Sequence, residues 1–102
     1  METRSPKGSK HSVPIWVVVD GDDVLIRAVR GPTSRWFREL VAGPGALVVN
    51  GQRIPVRAIA ATDGVSVKRA SDGYRKKYGK GGSLDSMLVP SVLPTTLRLE
   101  PA

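Results

Sequence analysis

The stretch ALVVNGQRIPVRAIAA, residues 46–61, decides the fold. Asn50-Gly51 sits between two apolar-rich arms, Ala46–Val49 and Gln52–Ala61. A two-residue type I′ turn needs positive φ at both central positions, and Asn-Gly supplies it most readily. In the second arm Ile54, Val56, Ala58 and Ala60 fall on one parity, and Arg53, Arg57 and Ile59 on the other. Period-two alternation of this kind marks strands with two unlike faces. Pro55 cannot donate to a ladder, which predicts an edge or a bulge there.

Upstream, Val13–Val19 is apolar on both parities. It reads as a strand buried on two sides, as in a barrel wall. It is too short to span a membrane and runs straight into Asp20-Gly21-Asp22-Asp23, so it reads as neither a span nor a signal peptide. The expected location is the cytoplasm, with no membrane partner. Val24–Val29 forms the next strand, with Leu25, Arg27 and Val29 on one face. Arg27 is therefore a charge flanked by apolar neighbours. Gly31-Pro32 breaks the strand, and Thr33 or Ser34 caps a short helix over Ser34–Val41 that turns Trp36, Leu40 and Phe37 inward. A second helix spans Val65–Tyr78, weakened by Gly73, with Gly79 as its stop. Thr95–Glu100 alternates again, Leu97 and Leu99 inward and Arg98 outward. Residues 1–12 are polar and basic and are expected as a flexible arm, leaving 13–102 as a single domain. Five or six strands with two short inserted helices predict a mainly β, α+β fold: a split β-barrel.

The chain has 102 residues and a formal charge of +7. That excess favours anionic partners. With no cysteine and a single histidine, His11, the chain cannot build a thiolate site, a cysteine nucleophile or a multi-histidine metal centre. No metal is expected. Gly79-Lys80-Gly81-Gly82-Ser83 lacks the Gly-Lys-Ser/Thr ending and the preceding strand of a phosphate-binding P-loop. The cationic run Lys68–Lys77 has two readings, a solvated helix face or a nucleic-acid contact. A non-enzymatic basic module or scaffold is thus the alternative function.

Four arginines, Arg27, Arg30, Arg35 and Arg38, crowd the Gly31-Pro32 break. Guanidinium forks bind phosphate oxygens bidentately. They either clamp a phosphate or pair with Asp20, Asp22, Asp23 or Glu39. Trp36 either covers a ligand ring or packs the core.

Thr3, Gly8 and Pro14, and then Trp36-Phe37-Arg38-Glu39-Leu40-Val41-Ala42-Gly43-Pro44, resemble the opening and the Trp-Tyr-x-Asn-Leu-x-Ala-x-Pro motif of split-barrel proteins related to deazaflavin-dependent nitroreductases. Ser5-Pro6-Lys7 and Glu39 depart from that pattern. A smaller bacterial family of unknown function in the same broad group is more similar still. The similarity runs through Pro14-Ile15-Trp16-Val17-Val18, Arg27-x-x-Arg30-Gly31, Arg35-Trp36-Phe37-Arg38, Tyr74-Arg75-x-Lys77-Tyr78-Gly79 and Thr95-Thr96-Leu97-Arg98-Leu99. The resemblance implies a split barrel like that of pyridoxamine phosphate oxidases. It also implies a homodimer and a bound flavin or deazaflavin, such as FMN, serving an oxidoreductase. The expected cofactor-binding residues are Lys7, Lys10, Arg27, Arg30, Trp36, Arg38 and Tyr78, with no catalytic side chain assigned.

Overall fold

A computed structural model describes residues 1–5, 7–78 and 87–102. The hairpin forms as expected. Strand β5 (Gly45–Val49) pairs antiparallel with β6 (Gln52–Ala60), and Asn50 and Gly51 take φ of 52° and 79°. Both values lie in the left-handed region that the type I′ turn demands. The hairpin is the centre of a seven-stranded antiparallel sheet. The other strands are β1 (Glu2–Arg4), β2 (Lys10–Ser12), β3 (Val17–Asp20), β4 (Asp23–Ile26) and β7 (Leu97–Pro101), in the order β2-β1-β5-β6-β7-β4-β3. Among the described residues the fold is mainly β, with helices α1 (Arg35–Ala42) and α2 (Gly64–Tyr78).

Register divides the side chains between two faces. The pairs Ile26↔Leu97, Val24↔Leu99, Ala60↔Leu97 and Ala58↔Leu99 put one apolar row on a common face. That row packs with Met1, Leu40 and Val56, and with Val13, Ile15, Trp36, Phe37 and Leu47. Residues from both ends of the sheet meet in this one cluster, so the sheet is curled into a half-barrel with α1 inside the curl. β2 and β3 are its two edges and do not pair with each other. The opposite face, through Val18 and Leu25, packs under α2 against Ala61, Ala70, Tyr74 and Met87. Leu97 and Leu99 are buried as their alternation predicts.

Several details differ from expectation. The first twelve residues contribute two strands. Thr3 faces His11 in the β1–β2 register, Glu2 pairs with Ala46 of β5, and Met1 and Thr3 are buried. Strand β3 starts only at Val17, and Val19 is exposed because β3 is an edge and not a wall. Pro14 removes a backbone donor from the segment before it. The Trp16 and Val17 carbonyls are instead taken by Tyr74 Oη, Tyr78 Oη and Lys77 Nζ from α2. Pro55 lies in an inner strand, opposite Ala46. Parity from the hydrogen-bonded 49/52 pair makes 46/55 a non-bonded pair, so Pro55 owes β5 no donor. On the β7 side its carbonyl accepts from the Ala102 amide. Ser34 is the N-cap of α1, but its Oγ donates to the Gly31 carbonyl and not into the helix. The Gly79 stop and the Gly79–Ser83 stretch lie outside the described residues.

Candidate functional site

The segment joining the two edge strands, the turn after β4 and the first turn of α1 converge on one side of the half-barrel. Two adjoining cavities open there. The first, about 260 Å³, is walled by Trp16 and Trp36 with Pro14, Ile15 and Val29; Arg27 and Met87 complete its lining. Both tryptophans of the chain line it. The second, about 640 Å³, shares Pro14, Val29 and Trp36 with the first and adds His11, Arg30 and Arg35, with Thr33 and Ser34 at its rim. A third groove, about 740 Å³, continues past Arg35 along α1 to Arg4, Arg38 and Glu39.

Arg27 is 1% exposed. Its Nε donates to Thr96 Oγ1 at 2.8 Å, one terminal nitrogen to the Met87 carbonyl at 3.0 Å and the other to the Val67 carbonyl at 2.8 Å. The guanidinium also lies 5.7 Å from the centre of the Tyr74 ring. Burial pulls its pKa below the usual arginine value, yet arginine stays charged at neutral pH. Among the described residues no carboxylate reaches it. It is a buried cation satisfied by neutral acceptors, and it ties β4 to α2 and to the start of β7. Tyr74 is fully buried, donates to the Trp16 carbonyl at 2.7 Å, and has its pKa pushed up by desolvation.

Of the four carboxylates that stood as alternative partners for the arginine cluster, Asp20, Asp23 and Glu39 are engaged elsewhere, and Asp22 is exposed. Asp20 and Asp23 bind Arg69 of α2. Glu39 is buried and accepts from Thr3 Oγ1 at 2.7 Å, with His11 Nε2 at 3.8 Å from its other oxygen. Among the described residues, Arg30, Arg35 and Arg38 have no acidic partner and are exposed. The cationic helix is the reverse case. Lys68 and Arg75 pair with Asp72, and Arg69 with Asp20 and Asp23. Much of its charge is therefore already matched, and the unmatched arginines lie beside the cavities.

The remaining expected residues separate. Trp36 packs against the core, and it also lines the two cavities. Arg38 lines the third groove and not the first two. Tyr78 stands behind the site: its ring stacks on Trp16 at 4.6 Å and its hydroxyl donates to the Val17 carbonyl. Lys7 and Lys10 are exposed and line none of the three cavities; Lys10 lies 4.0 Å from Glu2 Oε1. Trp16 and His11 line these cavities although the sequence reading did not single them out as site residues, and Arg35, one of the four clustered arginines, lines the second. Only parity could have found His11, by setting it opposite Thr3 on a neighbouring strand.

A family model described as an uncharacterised protein conserved in bacteria (DUF2255) matches residues 1–99. The chain belongs to this family. No curated protein and no solved structure matches it. The resemblance to a bacterial family of unknown function holds at that level. In this DUF2255 chain no helix of the described residues is long and apolar enough to cross a membrane. Nor, among the described residues, are three or more His, Cys, Asp or Glu grouped to hold a metal ion.

Proposed function

We propose that this DUF2255 protein binds a planar, phosphorylated small molecule, with the ring between Trp16 and Trp36 and the phosphate at Arg30 and Arg35. The observation that carries the reading is the junction of the two cavities. An indole-walled apolar space opens directly onto one lined by arginines that lack acidic partners. Small-molecule sites combine just these parts, an apolar cleft and a few convergent polar groups. Three of the five N–H donors of Arg27 are engaged within the protein, so in this reading the exposed pair Arg30 and Arg35 takes the phosphate and Arg27 lines the ring cavity.

A flavin or deazaflavin fits this donor set in kind. Aromatic walls suit its ring system and guanidinium groups suit its phosphate. Such a group, when bound, supplies the redox chemistry, and the protein supplies position and electrostatics. The wider tie to flavin-binding split barrels, an oxidoreductase activity and a cytoplasmic setting belong to this same reading. So does a homodimer. The half-barrel leaves Val48, Val49 and Ile54 of the central hairpin exposed, and a second copy is the partner that would cover them.

The test uses the two tryptophans as reporters. Titration with FMN, and separately with a reduced deazaflavin, is expected to quench tryptophan emission saturably with at least one of them. Unchanged emission with both overturns the reading. Nucleic-acid binding is the competing outcome. It would appear as retention of DNA or RNA at low salt that weakens steeply as salt rises.

A further inference from the structure

We propose that His11, backed by Glu39, is a charge-switched anion-binding residue of the arginine-lined cavity. As imidazolium it helps hold the anion, and as neutral imidazole it lets it go. The inference deepens the reading above and rests on the same cavity being the ligand site.

The argument starts from Glu39. Glu39 is buried and lines the third groove, and through His11 it neighbours the second cavity. One oxygen accepts from Thr3 Oγ1 at 2.7 Å, and the other lies 3.8 Å from His11 Nε2. Among the described residues no lysine or arginine comes within ion-pair distance of it, although Arg35 and Arg38 share its helix and its groove. A buried carboxylate needs a cation or several donors to stay charged without large cost. His11 is the one neighbour able to supply that cation, and it lines the cavity with Arg30 and Arg35.

The charged groups near the imidazole come from several elements. Glu39 of α1 lies 3.8 Å from it, and Arg35 of α1 and Arg30 of the turn after β4 line the same cavity. Lys10 flanks it on β2, and Glu2 and Arg4 flank its partner Thr3 on β1. Glu2 is matched by Arg53 at 2.8 Å. The protonation state of His11 therefore sets two terms of the same sign. Imidazolium adds a third cation beside Arg30 and Arg35 and cancels Glu39. Neutral imidazole removes that cation and leaves the Glu39 charge uncompensated behind the cavity wall. Histidine is the side chain whose charge can change within the physiological pH range, which makes it the switchable member of this set.

Sulfate is the probe, because its charge is constant across the range. Phosphate monoesters gain charge near pH 6, which would oppose the effect. Calorimetric titration of the full chain at pH 5.5 and pH 8.0 is expected to show sulfate affinity falling by about tenfold. That corresponds to roughly 1.4 kcal/mol. In His11→Gln the affinity should be nearly the same at both pH values. In Glu39→Gln, sulfate should bind more tightly than to wild type at pH 8.0. Because His11 is the only histidine, its single imidazole NMR signal at pH 7 should move toward the protonated position as sulfate is added, by reciprocity of linked equilibria.

The proposal is overturned if wild type binds sulfate equally at both pH values, or not at all at pH 5.5. It is equally overturned if the pH dependence survives in His11→Gln. FMN uptake without the sulfate effect would sink this inference and spare the ligand reading. The sulfate effect without uptake of FMN or deazaflavin would do the opposite.

Discussion

Arg27 and Arg30 are three positions apart and do opposite work. Arg27 gives its N–H groups to Thr96, Met87 and Val67, three points far apart in the chain. Removing it breaks three hydrogen bonds, two of them buried, and opens a void, each of which costs stability. Arg27→Ala is therefore expected to lose about 3 kcal/mol or more, seen as a Tm lower by roughly 12 °C or more in a chain of this size. Arg30→Ala and Arg35→Ala should each change stability by less than about 0.5 kcal/mol, as exposed substitutions do. An Arg27→Ala protein melting with wild type would show that the buried hydrogen bonds are not holding the three segments. The motif correctly marked this cluster as unusual. It could not tell a charge satisfied by carbonyls from one awaiting an anion, because those carbonyls come from residues 40 and 60 positions away. The same limit hid the Thr3–Glu39–His11 contact, whose members lie 28 to 36 positions apart.

Local chemistry was most legible at the scale of elements. Asn50-Gly51 fixed a turn and, through it, the register of β5 on β6. The helices fall within a residue of the spans their spacing predicts. The edge strands were misjudged because edge or centre is a property of partners, and composition does not reveal partners. Gly73 is instructive in this respect. From sequence it weakens α2. In the fold, a Cβ at that position would collide with Val18 Cγ1, so the glycine lets α2 lie close to β3. Two effects oppose each other in Gly73→Ala. Helix propensity favours alanine by about 1 kcal/mol, whereas forcing a methyl into a packed contact costs about 1–3 kcal/mol. The collision is with a branched side chain buried in the core, which has little room to yield. We expect net destabilisation, measured as a lower denaturant midpoint. A stabilised Gly73→Ala would mean that α2 does not sit this close to β3.

Across the whole molecule, acidic partners are spread unevenly. Among the described residues they neutralise much of α2 and leave the arginines around α1 without an acidic partner beside an aromatic cavity. Net charge alone pointed to anions. The distribution sets the arginines without acidic partners among the described residues beside α1, whereas Lys68, Arg69 and Arg75 of α2 are paired. The half-barrel is also open, with apolar residues of its central hairpin uncovered. Light scattering at micromolar concentration is expected to give twice the chain mass, and a monomer mass throughout would remove the second copy from the account. The central claim concerns the division of labour in the cavity, indoles for a ring and Arg30 with Arg35 for a phosphate. It is tested most directly by the ratio of FMN to riboflavin affinity, since the two differ only in the phosphate. Charge-assisted hydrogen bonds contribute about 1.5–3 kcal/mol each, so wild type should prefer FMN by about tenfold or more. An Arg30→Ala, Arg35→Ala double variant should bind both ligands about equally, at the riboflavin level. A wild-type ratio near one, or a preference for FMN that persists in the double variant, would contradict the account.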